Sequence, residues 1–241
     1  MKHTIVEVKN VVRTQVMFEN LQTRSMITPG IGLIHGPSGY GKTTTVTHMF
    51  NELTLTGHQP LYVRCYATDS PSSFLARVMG ELGAEPMYPL RKMVDYIVRS
   101  MNENSLALFV DEADHIVGQA KTMETIRDLY DSTEQPVVLI GMEEIARRIS
   151  HRKQLFNRIS EWVEFQAADL EDVHMFAQTL LDKRVQVGED MLEYIRTKSS
   201  GEVRRILIAL EKIERAAIAS DEHFIDLDAW GDRPLFLSHR R

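Results

Sequence analysis

Ile31-Gly32-Leu33-Ile34-His35 runs directly into Gly36-Pro37-Ser38-Gly39-Tyr40-Gly41-Lys42-Thr43, and this junction decides the fold. The first five residues read as a short strand. The glycines let the following backbone curl so that several N–H groups point inward, a geometry that cradles phosphate oxygens. A helix predicted over Thr43 to Leu55 adds the partial positive charge of its N-terminus. Gly-x-x-x-x-Gly-Lys-Thr is the Walker A pattern. In it Lys42 offers an ammonium to the β- and γ-phosphates, and the Thr43 hydroxyl is a magnesium ligand. Gly36, Pro37, Ser38, Gly39, Tyr40, Gly41, Lys42, Thr43 and Thr44 are therefore the candidate nucleotide contacts, with ATP and Mg2+ as the implied cofactors.

The other half of such a site comes from Leu106-Ala107-Leu108-Phe109-Val110-Asp111-Glu112. Five apolar residues predict a buried parallel strand, and two carboxylates follow where its C-terminal end emerges. Ligands of open α/β sheets bind at that edge. Asp111 is the candidate to hold magnesium through water, beside Thr43 as a ligand. Glu112 is the candidate to polarise an attacking water, so Lys42 and Glu112 carry the catalytic reading. Asp114 and His115 follow closely, and His115 reads as a surface histidine.

Outward from these motifs, strands and helices alternate. A helix is expected over Val12–Arg24, and a strand over Leu61–Tyr66. Ser70-Pro71 is a helix start, with Ser70 as N-cap and Pro71 at the first helical position. Phe74, Leu75, Val78, Met79 and Leu82 continue it at helical spacing, and Leu90 to Met101 repeats the pattern. A helix around Met123–Leu129, a strand over Pro136–Ile140, a basic helical stretch over Glu143–Ser160 and a last strand over Trp162–Phe165 complete the alternation. From Asp169 onward no strand is expected. Asp169 caps a helix, and two more follow around Met191–Lys198 and Glu202–Ala219. The fold class is thus α/β: a P-loop parallel sheet sandwiched by helices, with a small all-α lid. The expected boundaries are 1–168 for the nucleotide-binding domain, 169–220 for the lid and 221–241 for a C-terminal tail or docking segment. Ser238-His239-Arg240-Arg241 at its end reads as a frayed terminus.

The bulk numbers suit this. A chain of 241 residues, 43% hydrophobic and 26% charged, is an ordinary globular composition. No apolar run reaches a membrane span, and the N-terminus lacks a signal-peptide core, so the setting expected is cytoplasmic and away from membrane. The one cysteine, Cys65, forbids an internal disulfide and reads as a buried strand residue. A net charge of −6 argues against coating nucleic acid by overall charge, though not against local basic patches.

The remaining signals are arginines. Arg147, Arg148, Arg152, Lys153 and Arg158 crowd one stretch. Gly201-Glu202-Val203-Arg204-Arg205 opens a helix with two cations in its first turn, where the helix dipole disfavours them and a partner anion would favour them. The order Walker A, acidic strand end, strand, arginine box and Gly-x-x-Arg in a helical lid resembles the AAA+ superfamily over about residues 10 to 220. That resemblance implies Arg158 as the arginine finger, with Arg152 as the alternative, and Arg204 as the sensor 2 arginine. Met142 falls where the family carries a polar sensor 1 residue, which bears on the hydrolysis rate and not on binding.

Gly36–Thr44 and Val110-Asp111-Glu112-Ala113-Asp114-His115-Ile116 are similar to the phage Mu-type transposition protein B and TnsC family. This implies an ATP-dependent homo-oligomer, a ring or filament on double-stranded DNA, that selects target DNA and activates a DDE transposase in a bacterial cell. A phage or mobile element is its expected source. The Mu-type protein carries an N-terminal helix-turn-helix domain, whereas about thirty residues precede the first strand here. DNA contacts are then expected from the ATPase domain itself, at Arg64, Lys121, Arg152 and Lys153. A helicase-loader or secretion-type ATPase, and a scaffold that holds ATP with little hydrolysis, are the competing expectations.

Overall fold

Unbroken apolar runs build the middle of the sheet. β1 (Ile31–His35), β3 (Leu108–Asp111) and β4 (Val137–Ile140) are buried almost throughout, as strands covered on both faces must be. β2 (Leu61–Arg64) and β5 (Ile159–Glu164) are less uniformly buried and take the two edges. All five are parallel in the order β2-β3-β4-β1-β5. Because β1 and β3 end on the same side of a parallel sheet, the loop after β1 and the carboxylates after β3 share one edge.

The computed structural model describes residues 1–236 apart from 3, 26 and 58. They divide into two units. The first, the sheet unit, holds Arg13–Pro37 and Lys42–Phe165. Its helices are α1 (Lys9–Thr23, from Arg13 on), α2 (Lys42–Leu55), α3 (Pro71–Glu81), α4 (Leu90–Asn104), α5 (Asp114–Val117), α6 (Ala120–Thr133), α7 (Ile145–Ser150) and α8 (Lys153–Phe156). Ser70 caps α3 in a capping box with Ser73, worth about 1 kcal/mol. Phe74, Val78, Met93, Ile97, Leu108, Ile126 and Leu139 are fully buried together in its core. The single helix expected over 143–160 is instead two short ones. Arg152 leaves the helical region at φ −106°, ψ 75°, and β5 begins at Ile159.

The second, helical unit holds Met1–Val12, Ser38–Gly41 and the chain from Gln166. It contains α9 (Leu170–Leu180), β6 (Gln186–Val187), α10 (Glu189–Ser199), α11 (Val203–Ser220), β7 (Phe224–Ile225) and α12 (Leu227–Trp230). Asp169 caps α9 with Asp172 as its capping-box partner. Three expectations are corrected here. Strands do not stop at 168: β6 and β7 form a two-stranded parallel pair. Residues 221–236 are no loose tail, because Ile225, Trp230 and Leu235 are buried in the unit's core and Lys212 Nζ donates to the Leu235 carbonyl at 2.7 Å. The N-terminus does not belong wholly to the nucleotide-binding domain. Val6, Val8 and Val11 enter the same core as Phe176, Leu210 and Ile213. Asn10 Nδ2 fixes the segment by donating to the Gln166 carbonyl at 2.8 Å. Ser238-His239-Arg240-Arg241 lies outside the described residues. Among the described residues, no helix is long and apolar enough to cross a membrane.

Candidate nucleotide site

The turn after β1 is possible only with glycine. Gly36 has φ +147°, and a Cβ there would stand 2.7 Å from the Phe165 carbonyl oxygen. Lys42, the first residue of α2, is 9% exposed, and its ammonium donates to the carbonyls of Gly36 at 2.6 Å and Pro37 at 2.8 Å. Two of its three donors are thereby used. Among the described residues no carboxylate forms an ion pair with it. Burial pulls its pKa down, and the fields of Asp114, Glu112, Asp111 and Glu143 pull it back up. Its hydrogen-bond partners are neutral carbonyls, and an anion in direct contact would offset more of the cost of burying the cation.

Thr43 follows, exposed, with its hydroxyl 3.1 Å from Asp111 Oδ2. Asp111 is 3% exposed. Its Oδ1 accepts from the Glu112 N–H at 2.8 Å, and its Oδ2 also accepts from the Tyr62 hydroxyl at 2.5 Å. Glu112 takes φ +55°, an uncommon conformation for a residue with a side chain, which turns the chain sharply after β3. Arg64 lies level with Asp111 across β2 and β3, and its Nη2 reaches Glu112 Oε1 at 3.4 Å. Thr43 and Asp111, both oxygen donors, suit Mg2+, which demands hard ligands.

The β4 side is built differently. Met142 is 37% exposed and brings only its backbone: its N–H donates to Asp114 Oδ2 at 2.6 Å. A Cβ at Gly141 would stand 2.5 Å from that same oxygen, so glycine makes room for the carboxylate. Arg148 Nη1 holds the Asp114 carbonyl at 3.1 Å, and Arg152 Nε holds the Val117 carbonyl at 2.8 Å, so two cations clamp α5.

The other candidates are spread. Arg158 grips Asp131 with Nε and Nη2, at 2.5 and 2.7 Å, and gives Nη1 to the Gln154 carbonyl. As a finger it must first leave that fork. Lys121 and Lys153 are exposed, as is His115. In the helical unit, the Gly39 carbonyl accepts from the Arg204 N–H at 3.0 Å, while Arg204 itself is exposed. Gly39 has φ +82°, and a Cβ on it would run into the Glu202 carboxylate. Ser38 to Gly41 thus pack with the residues that open α11. Arg205 stacks on Phe236, 4.2 Å from the ring centroid. Cys65 is buried, and burial pushes its thiol up to about 12, so it is inert.

Sequence reasoning missed Tyr62, the Arg64–Glu112 pair and the Asp114–Met142 bond. The alternation in Leu61-Tyr62-Val63-Arg64 was the available signal for the first two. It turns Leu61 and Val63 into the core and puts Tyr62 and Arg64 together on the other face.

A family model described as AAA domain matches residues 26–149, just over half of the chain. The chain belongs to the AAA domain family. Its fold is that of solved AAA+ proteins. The Orc1 protein of Aeropyrum pernix in complex with DNA superposes with TM-score 0.64 at 13% identity, covering 95% of this chain and 64% of that one. Cdc6p from Pyrobaculum aerophilum matches with TM-score 0.64 at 14% identity, covering 93% and 65%. The Thermotoga maritima RuvB Holliday junction branch migration motor matches with TM-score 0.58 at 17% identity, covering 93% and 67%. The chain thus spans less than two thirds of the length of the Orc1 and Cdc6p structures. No curated protein matches it in sequence.

Proposed function

We propose that this chain binds ATP with magnesium, hydrolyses it slowly, and uses the nucleotide to control its own assembly on double-stranded DNA. One observation carries the reading. The buried Lys42 ammonium has loop carbonyls and no carboxylate partner among the described residues, and it is followed by Thr43, whose hydroxyl meets Asp111. That arrangement favours a phosphate anion. Lys42 would bind it, and Thr43 and Asp111 would hold the magnesium. When bound, the ion supplies charge neutralisation at the phosphate oxygens. Glu112 orients a water and accepts its proton. Arg64 holds Glu112 by an exposed pair, which is weak. A DNA phosphate that draws Arg64 away releases Glu112, which couples DNA to hydrolysis. Lys121 and Lys153 are the further candidate phosphate contacts, and Arg152 joins them only by releasing Val117. Arg158 in trans and Arg204 are the candidate readers of the γ-phosphate. Met142, without a polar head beside the site, fits slow turnover.

Within that reading, the function is regulation of DNA transposition: ATP-loaded subunits gather on target DNA and stimulate a DDE transposase. Support comes from the resemblance of Gly36–Thr44 and Val110–Ile116 to the Mu-type protein B and TnsC family. A solved AAA+ protein bound to DNA shares the fold. A bacterial cytoplasm, with a phage or mobile element as the source, is the proposed setting. Electron micrographs with ATP and duplex DNA test the reading. Rings or filaments are expected for the wild type and none for Lys42→Ala. Monomers alone in the wild type would sink it.

A further inference from the structure

β2 is an edge strand, yet its outer face is not spent on solvent. Tyr62 and Arg64 stand two residues apart on that face, and each reaches one of the paired carboxylates after β3: Tyr62 to Asp111, Arg64 to Glu112. The two contacts differ in kind. Arg64 is exposed and its contact is loose at 3.4 Å, whereas Tyr62 is half-buried and its hydroxyl sits 2.5 Å from a carboxylate that is 3% exposed. The ring is aimed by packing. Phe50 of α2 meets it edge-on, with centroids 6.2 Å apart and planes at 72°. α2 is also the helix that carries Lys42 and Thr43.

Asp111 is consequently held at both oxygens. Oδ1 is fixed by the Glu112 N–H at 2.8 Å, and Oδ2 receives Thr43 and Tyr62. A carboxylate that must grip a cation gains from such support, because its rotamer is set before the cation arrives. The Glu112 bond is backbone and belongs to the turn. Thr43 is itself a candidate ligand. Tyr62 is the side chain that holds Asp111 without being a candidate ligand.

We propose that Tyr62 is a positioning residue for magnesium: its hydroxyl orients Asp111 so that the Thr43 and Asp111 oxygens receive the ion together. This rests on the reading of the site as one for ATP and magnesium. Tyr62 does not touch the nucleotide; it acts through Asp111. Removing the hydroxyl weakens the metal and leaves the phosphate contacts of the loop and Lys42 intact.

The test is a magnesium titration of Tyr62→Phe followed by fluorescence of a bound ADP analogue, so that hydrolysis plays no part. The magnesium needed for half-saturation should rise about tenfold, the lower end for loss of a group that orients a metal ligand. Affinity for the analogue in EDTA should not change. In an Asp111→Asn background the same substitution should have no further effect on magnesium, which a merely structural tyrosine would not obey. An unchanged half-saturation value in Tyr62→Phe, or an equal shift in both backgrounds, overturns the proposal. Should Tyr62→Phe not fold, Phe50→Leu takes its place, since it frees the ring that aims the hydroxyl. A smaller rise is then expected, and no rise overturns the proposal. If the wild type shows no magnesium-dependent binding of the analogue, the ATP reading itself fails, and that result is distinct from the others.

Discussion

β3 has two neighbours, and they treat its end differently. On the β2 side, side chains reach both carboxylates: Tyr62 to Asp111 and Arg64 to Glu112. On the β4 side, Met142 contributes a backbone N–H, and the polar group there is Asp114, borrowed from the turn after β3 itself. The difference teaches that, of the two neighbouring strands, β2 is the one whose side chains support the carboxylates after β3. The other flank fixes the course of the chain through the Met142 N–H, and the Met142 side chain is exposed. Under the proposed function, such a site binds a metal nucleotide and turns it over slowly.

Glu112→Gln keeps the shape and removes the proton acceptor. Phosphate release should fall at least about a hundredfold while nucleotide binding persists. A small change would mean that the β2 flank supports a residue without a catalytic role. Asp114→Ala removes the acceptor for the Met142 N–H and so one bond between the segments that follow β3 and β4. Denaturant unfolding should show a loss of about 1–3 kcal/mol. Met142→Asn supplies the polar head that the β4 flank lacks. Hydrolysis should rise several-fold, roughly 1 kcal/mol in the barrier, with little change in Tm. No rise would show that the apolar flank does not limit turnover. Arg64→Ala frees Glu112, and hydrolysis without DNA should rise about two- to fivefold, in keeping with a weak exposed pair. DNA should then stimulate it less.

The smallest effect lies away from the site. Lys9 bonds Asp169 and thereby holds its carboxyl below the usual range, with the Asp172 backbone as a second cause. A carboxyl depressed in the folded state adds stability above its unfolded value near 4, about 3.9, and loses it as pH falls through the folded value. Lys9→Ala should therefore lower Tm by about 2 °C or less at pH 7 and flatten the fall of Tm in acid below about pH 4.

What was legible in the sequence was local. Ser70-Pro71 and Asp169 announce helix starts because caps are satisfied within three residues. Gly36 to Thr43 announces its turn for the same reason. Fold class followed from the alternation of β1 to β5 with helices, whereas the order β2-β3-β4-β1-β5 did not, because pairing joins strands distant in sequence. What was not legible depends on partners distant in sequence. β6 and β7 are two residues each, too short to carry a period, and each forms only by pairing with the other. Arg64 was expected at DNA, and no local pattern announces that its register opposite Asp111 also pairs it with Glu112. Arg158 is the finger that the resemblance implies, and no local pattern announces that Asp131 of α6 takes its Nε and Nη2. Val6, Val8 and Val11 gave too short a pattern to reveal that they complete a helical core.

The central claim is that ATP at Lys42 controls the hold on DNA. Fluorescence anisotropy of a labelled duplex, titrated with protein under ATP, ADP or no nucleotide at fixed salt and magnesium, tests it most directly. The account predicts tight, cooperative binding with ATP, weak binding in the other two conditions, and loss of the ATP effect in Lys42→Ala. DNA affinity that is the same in all three conditions would contradict it.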